Sequence, residues 1–269
     1  MSHLRLFLFG SPRLERDGLS PPMDTRKAMA LLAYLAATGQ SHSRDTLATL
    51  LWPDYEQSQA RANLRRTLST LSKAIGKDSL EIDRETIGLW PQAELWVDVR
   101  RFEELVRTSR SHGHPADELC PVCLELLTQA QSLYQADFLA GFNPTDSPIF
   151  EEWQFFQAES LRQQIIEVLE RLARGHGWLI QLYAWSGQRS AALRQYQSLV
   201  RVLADELGIS PSQEIETLHQ AIEKNRLTPP PLEQRNKSAK TQGGDETPAP
   251  LLPGPPLGLK PAPVYNLPT

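Results

Sequence analysis

Apolar positions at the start of the chain change from short runs to a helical spacing. The run Leu4–Phe9 ends at Gly-Ser-Pro, and the stretch Arg13–Arg16 leads into an Asp-Gly turn. Short runs bounded by turn residues predict a small pair of strands. Apolar residues then recur every three or four positions, which predicts helices. These helices are expected over Arg26–Thr38, from Ser43 to Trp52, and from Gln57 to Gly76.

Local signals mark the ends of the first two helices. Asp24 and Thr25 can cap the first one, and Gly39 stops it. Ser43 can cap the second helix, which Pro53 ends.

Two short stretches after the third helix complete a recognisable order. Leu80–Asp83 and Thr86–Trp90 flank Arg84-Glu85, which suits a β-hairpin. Three helices followed by a hairpin describe a winged helix-turn-helix. We therefore predict a winged-helix domain over residues 1–97.

Residues 98–227 have a helical pattern almost throughout, so a second, all-α domain is expected there. Within it, Leu182–Tyr196 has small and large apolar residues placed as in a tetratricopeptide-like repeat. The candidate helices are Arg101–Arg110, Cys123–Ala136, Ile149–His176, Trp178–Ser186, Arg189–Leu207 and Gln213–Lys224.

Residues 228–269 hold 11 prolines in 42 positions and few large apolar side chains. Such a composition cannot bury enough surface to offset the entropy of ordering, so we predict a disordered tail or linker. The expected fold class is mainly α: a winged helix with small hairpins, a tetratricopeptide-like helical domain, and this tail.

The third helix has two contrasting faces. On a helical wheel, Leu64, Leu68, Leu71 and Ile75 form an apolar stripe that should pack on the core. The opposite face is polar or small and includes Gln59, Ala62, Arg66, Ser69, Thr70 and Lys73, with Asn63 and Arg65 at its flanks.

Charge makes this polar face unusual. The chain has a net charge of -4, yet Gln57 to Lys77 contains five basic residues and no acid. A solvated surface helix usually mixes acids and bases, because opposite charges give modest support. Arginine, serine and threonine can instead bind phosphates and base edges in a major groove. We therefore predict DNA contacts for Asn63, Arg65, Arg66, Ser69, Thr70 and Lys73, and for Arg84 at the hairpin tip.

Several motifs resemble one family of regulators. They include Arg26-Lys27-Ala28, Ser43-Arg44-Asp45, and Ala60-Arg61-Ala62-Asn63-Leu64-Arg65-Arg66-Thr67-Leu68-Ser69. Val97–Phe102, Asp137–Phe142 and Leu203–Pro211 continue the match, which covers about residues 4 to 225. In these motifs the chain resembles the Streptomyces antibiotic regulatory protein (SARP) family. The resemblance implies an OmpR-type winged helix followed by a bacterial transcriptional activator domain, and it adds Arg26, Lys27 and Arg44 to the expected DNA contacts.

The resemblance also implies partners. A SARP-type regulator binds direct repeats in duplex DNA near promoters and helps to recruit RNA polymerase, and its helical domain is expected to dimerise or to relay signals. Members usually have a further helical hairpin before the Leu-Tyr-Ala segment, and here about one repeat of roughly 34 residues is missing. The alternative function is therefore a truncated adaptor whose helical domain binds proteins without activating transcription.

Other chemistry is weaker in this sequence. His112, His114, Cys120 and Cys123 are the residue types of a zinc site, and Cys-x2-Cys is a common half-site spacing. However, cysteines at the start of a helix often serve as small buried groups, so zinc is the alternative and no metal or cofactor is the main expectation.

No nucleophile-base arrangement or glycine-rich phosphate cradle is present in the sequence, so no enzyme is expected. An apolar run long enough to span a membrane and a signal-peptide layout are also missing, which indicates a cytoplasmic protein without a membrane partner.

Overall fold

The computed structural model describes residues 3–23, 25–90, 92–113, 119–204, 210–224 and 226. Within them the chain is mainly α-helical and has two small sheets, in agreement with the predicted fold class. The predicted tail, residues 228–269, lies outside the described residues. Strands β1 to β6 span Leu4–Phe7, Arg13–Arg16, His42–Ser43, Leu80–Ile82, Thr86–Leu89 and Leu95–Val97. Helices α1 to α8 span Arg26–Thr38, Arg44–Leu51, Gln57–Ile75, Asp98–Arg110, Pro121–Leu133, Pro148–Trp185, Arg189–Val202 and Gln213–Glu223.

The first sheet has the order β2-β1-β6. Strands β1 and β2 form the predicted antiparallel pair, with Leu4 opposite Arg16. Strand β6 was not predicted, and it runs parallel to β1 with Leu4 opposite Leu95. The sheet thus connects the start of the chain to the residues just before α4.

The second sheet has the order β3-β5-β4 and contains the predicted hairpin. Strand β3 pairs with β5, so the segment before α2 is attached to the hairpin. Gly88 allows this close approach, because a Cβ atom there would lie 2.3 Å from the Ser41 hydroxyl oxygen and 3.2 Å from its Cα. The hairpin is thereby fixed against the helix-turn-helix.

Helices α1 and α2 begin and end where their capping residues predict. The Thr25 hydroxyl accepts a hydrogen bond from the Ala28 amide at 3.2 Å, and Gly39 ends α1 in the left-handed conformation with φ 66°. The Ser43 hydroxyl accepts from the Thr46 amide at 3.0 Å. These side chains satisfy amides that a helix start leaves without an intrahelical acceptor. Asp24, the other predicted cap, lies outside the described residues.

The predicted break near Gly177 is wrong, because Pro148–Trp185 forms one continuous helix, α6. Its two internal glycines lie where other helices pack closely. A Cβ atom at Gly175 would come within 3.0 Å of Leu124 Cδ1, and one at Gly177 within 3.1 Å of Ile215 Cδ1. Glycine costs about 1 kcal/mol within a helix, but it also lets neighbouring side chains approach the backbone.

Smaller differences concern helix ends. Helix α4 begins at Asp98, three residues before the predicted start, and the Asp98 carboxylate accepts from the Val99 amide and from the amides of Leu8 and Phe9. Helix α5 begins at Pro121, since Cys120 caps it and proline suits the first helical position. It ends at Leu133, earlier than predicted. Helix α7 ends at Val202, and residues 205–209 lie outside the described part.

Buried side chains form two clusters in the described part of the chain. The large cluster runs from Leu4 through the winged helix to Leu172 in α6, and therefore includes residues on both sides of the predicted domain boundary at 97/98. The small cluster joins the end of α6 to α7 and α8 through Ile180, Leu199 and Ile222. No helix among the described residues is both long and apolar enough to cross a membrane.

Candidate nucleic-acid interface

One face of α3 packs on the core and leaves the polar face outside. The predicted stripe of Leu64, Leu68, Leu71 and Ile75 is buried, with none of these residues more than 5% exposed. Burying a leucine side chain stabilises the fold by about 1.5–3 kcal/mol, so these contacts hold the helix firmly against α1 and α2.

The polar face of α3 is available to a ligand. Arg65, Arg66, Ser69 and Lys73 are exposed, and Asn63 and Thr70 are partly buried. Among the described residues, no carboxylate pairs with the cationic groups of Arg65, Arg66 or Lys73. The positive charge of this face is therefore not neutralised within the described part of the chain.

Arg61, on the same helix, has a different environment. Its guanidinium binds the Asp45 carboxylate through two hydrogen bonds, from Nε to Oδ1 at 2.6 Å and from Nη2 to Oδ2 at 2.7 Å. This contact lowers the pKa of Asp45, because the bonded cation stabilises the carboxylate. The pair joins the start of α2 to the start of α3 and places one negative charge beside the basic face.

A depression of about 570 Å³ lies between α2, α3 and the hairpin turn. Four arginines line it: Arg44, Arg61, Arg65 and Arg84. The other lining residues are Ser43, Asp45, Leu64 and Glu85. The depression thus brings together three of the predicted DNA contacts and one arginine that was not predicted. Its two acids reduce the local positive charge but do not cancel it.

Arg44 attaches this depression to the hairpin. Its guanidinium donates to the Asp83 carbonyl from Nε at 3.1 Å and from Nη2 at 2.9 Å. The Arg44 amide donates to the Glu85 carbonyl at 2.9 Å. The hairpin turn, which carries exposed Arg84, is therefore held at a fixed place beside the start of α2.

Two predicted residues lie apart from the depression, at the start of α1. Arg26 donates to the Asn143 carbonyl at 3.3 Å, and Lys27 donates to the Leu51 carbonyl. The Lys27 ammonium also lies 5.1 Å from the ring centre of Trp52. Burial lowers its pKa, while the nearby Asp146 acts in the opposite direction. Both cations thus contact the protein itself.

Arg61 is the residue that the sequence interpretation omitted. It lies four positions before Arg65, so the two share one side of the helix. The acid-free composition of Gln57–Lys77 was a signal that includes it. Its pairing with Asp45, by contrast, depends on how α2 crosses α3.

Three of the four candidate zinc ligands also come together in the structure. The ligand atoms of His112, Cys120 and Cys123 all lie within 4.8 Å of one another. His114 lies outside the described residues. This cluster is on the helical part of the chain, between α4 and α5.

Comparisons with known proteins agree on one kind of regulator. A sequence model described as "Bacterial transcriptional activator domain" matches residues 174–223, which contain most of the small buried cluster. Regulatory protein AfsR of Streptomyces coelicolor is 27% identical over 241 residues, which are 81% of this chain and 24% of that protein. Transcriptional regulatory protein EmbR of Mycobacterium bovis is 26% identical over 260 residues, 87% of this chain and 66% of EmbR.

A solved structure of Mycobacterium tuberculosis EmbR in complex with a low affinity phosphopeptide has a TM-score of 0.48 and 23% identity, covering 89% of this chain and 69% of that one. The chain spans about a quarter of the length of AfsR and about two thirds of that of EmbR. The activator-domain match and these regulatory relatives make the chain similar to transcription regulators of the SARP type.

Proposed function

We propose that the chain binds promoter DNA sequence-specifically, with α3 in the major groove and the β4–β5 hairpin against the backbone. The observation that carries the proposal is the exposed face of α3, which has Arg65, Arg66 and Lys73 and no acid. Residues 1–97 are the proposed DNA-binding domain, and residues 98–227 the proposed regulatory domain.

The chemistry of the face suits duplex DNA. Arginine can donate two hydrogen bonds to the edge of a guanine, whereas lysine and hydroxyl side chains mainly bind phosphate. Arg66 and Lys73 are seven residues apart, two turns on one side of α3, with Ser69 and Thr70 between them. We propose that this row contacts bases and the adjoining backbone.

The depression beside α3 supports a second set of contacts. Arg44 and Arg84 flank it from the hairpin side, and Arg65 from α3. Because the hydrogen bonds of Arg44 fix the hairpin turn, these cations keep a defined spacing before DNA arrives. We propose that they bind phosphates on either side of the groove that α3 enters. Arg26 and Lys27 remain proposed contacts, although DNA would have to compete with their present carbonyl partners.

Selection from random DNA tests binding and identifies the operator in the same experiment. The full chain would select its sites from a random duplex library, and fluorescence anisotropy would then give the Kd of the enriched site at several salt concentrations. Loss of a base-edge contact in Arg66→Ala should weaken binding by about 1–3 kcal/mol and relax sequence preference at one position. Lys73→Ala should weaken binding to all sequences and reduce the slope of log K against log salt by about 1.

Lys224→Ala provides a matched control, because it removes one exposed cation from the end of α8. Its affinity should stay close to that of the unchanged chain. If Arg66→Ala and Lys73→Ala bind the selected site as tightly as the Lys224→Ala control, α3 does not contact DNA in the proposed way. If no sequence is enriched, specific binding itself is refuted.

Activation is a further part of the proposal and has a separate test. We propose that the helical domain recruits RNA polymerase and that two chains bind neighbouring repeats, as the resemblance to SARP-type regulators suggests. A promoter reporter carrying the selected site should be activated by the chain and more weakly by Arg66→Ala. DNA binding without activation would instead favour the adaptor function. Because bacterial promoters are in the cytoplasm, we also propose that location.

A further inference from the structure

The ends of α4 and α5 bring three metal-ligand side chains together. His112 is two residues past the end of α4, Cys120 caps α5, and Cys123 is in the first turn of α5. The Cys120 sulfur lies 3.3 Å from His112 Nδ1, and the ligand atoms of all three residues lie within 4.8 Å of one another. Two helices and the segment between them therefore meet at one cluster of soft donors.

The distances suit a tetrahedral metal ion. Zinc binds sulfur at about 2.3 Å and histidine nitrogen at about 2.0 Å, so the S···N edge of its tetrahedron is about 3.5 Å. The observed 3.3 Å between Cys120 and His112 is close to this edge. Two thiolates and one imidazole favour zinc over the harder magnesium and calcium ions.

Backbone groups already orient the sulfur atoms. The Cys123 amide donates to the Cys120 sulfur at 3.4 Å, as amides at a helix start do for a capping group. The Cys123 sulfur lies 3.5 Å from the Ser109 carbonyl, to which it donates. Both sulfurs are thus positioned by the two helix ends that the metal would join.

Arg171 of α6 contacts the same Ser109 carbonyl that accepts from the Cys123 sulfur. It is buried, and its guanidinium donates to the Ser109 hydroxyl at 2.9 Å and to the Ser109 carbonyl at 3.2 Å. The carbonyl therefore keeps a donor when the thiol no longer provides one.

We propose that His112, Cys120 and Cys123 bind one zinc ion that ties the end of α4 to the start of α5. The three side chains range from exposed His112 to buried Cys123, so the ion can reach the buried sulfur from solvent. The described part of the chain supplies three ligands, and a tetrahedral ion takes its fourth from water or another donor. The site is independent of DNA binding by α3.

The same two cysteines could instead form a reversible disulfide, because Cys-x2-Cys at a helix start is also a redox arrangement. The histidine distinguishes the two chemistries. A disulfide needs only the two sulfurs, whereas His112 beside Cys120 supplies the nitrogen ligand that zinc needs. The cluster therefore favours the metal.

Metal analysis of the full chain tests the proposal. Protein purified under reducing conditions, given zinc and then dialysed, should retain about one zinc per chain by elemental analysis. Competition with a zinc indicator dye should show binding at least about tenfold weaker in Cys120→Ser and in His112→Ala, since even supporting residues affect metal affinity this much. Cobalt should give thiolate charge-transfer absorption, which Cys120→Ser should reduce because only the Cys123 thiolate would remain.

Cys120→Ser is a mild change, because a serine hydroxyl also caps a helix. His3→Ala is the matched control for a lost exposed histidine and should retain the metal. A given zinc concentration should raise the melting temperature of the unchanged chain more than that of Cys120→Ser. The proposal is overturned if the unchanged chain fails to retain zinc after dialysis, or if Cys120→Ser and His112→Ala retain as much zinc as the unchanged chain. Disulfide formation in place of zinc uptake would also overturn it.

Discussion

Asp98 should stabilise the junction between the first sheet and α4 more than any surface charge does. Its buried carboxylate accepts from the Leu8 amide at 2.9 and 2.8 Å, from Phe9 at 3.0 Å and from Val99 at 2.7 Å. Asp98→Ala removes the acceptor of three backbone N–H groups at once. The substitution therefore measures how tightly the end of β1 is attached to α4.

The expected loss follows from these contacts. A buried amide without an acceptor costs about 1–3 kcal/mol, so three of them cost at least about 3 kcal/mol. Removing a desolvated carboxylate offsets part of this, and local rearrangement admits water to some amides. We expect Asp98→Ala to lower the free energy of unfolding by about 2–4 kcal/mol, a large part of the 5–15 kcal/mol typical of a native protein.

Urea denaturation of the full chain, followed by circular dichroism and tryptophan fluorescence, measures this change. Glu104→Ala is the matched control, because it removes an exposed acid of α4 whose ion pair with Arg101 should contribute under about 1 kcal/mol. Asp98→Asn keeps one acceptor oxygen and should be intermediate. A loss below about 1 kcal/mol in Asp98→Ala would refute this account.

Asp98→Asn also tests the charge of this site. Burial raises the pKa of Asp98, so the folded chain binds a proton here more readily than the unfolded chain. The stability advantage of the aspartic acid is therefore present at low pH and is lost as pH rises through the folded pKa. The asparagine variant has no such loss, so its deficit relative to the unchanged chain should shrink as pH rises.

Two further predictions concern charges elsewhere. Asp45→Asn removes the negative charge beside the basic face and releases Arg61. The DNA affinity measured by anisotropy should therefore rise, and its dependence on salt should become steeper. Unchanged affinity would place Asp45 outside the interface. Burial lowers the pKa of His176, which contacts Gln195, below its ordinary value of 6.5. At a pH below about 6.5 the unfolded chain binds a proton at His176 more readily than the folded chain does, so stability should be lost as pH falls through this value. Thermal melts should show a smaller loss of stability for His176→Gln than for the unchanged chain. Equal losses would contradict this.

Short-range signals account for the parts of the structure that the sequence predicts well. Helices α1 and α2 have side-chain caps at Thr25 and Ser43, and each capping bond spans only three residues. The apolar stripe of α3 likewise follows from helical spacing alone. These features depend on neighbours along the chain, so one sequence is enough to predict them.

Contacts between distant residues account for what the sequence did not predict. Strand β6 has three residues, and its partner β1 is about ninety positions earlier in the chain. The glycines of α6 resemble helix stops until Leu124 and Ile215 are seen to pack against them. For the same reason, the pattern that selected Arg65 and Arg66 could not show that Arg61 pairs with Asp45.

The winged helix and the helical region meet at the carbonyl of Leu51, the last residue of α2. This carbonyl accepts a hydrogen bond from the Lys27 ammonium of α1. It also accepts one from the hydroxyl of Ser147, the residue before α6, at 2.9 Å. A shift of the start of α6 must therefore move α2 or break the Ser147 bond. Since α2 contacts α3 through Asp45 and Arg61, such a shift is transmitted toward the proposed DNA-binding face. If the helical region is regulatory, as proposed, it would act on α3 through these hydrogen bonds.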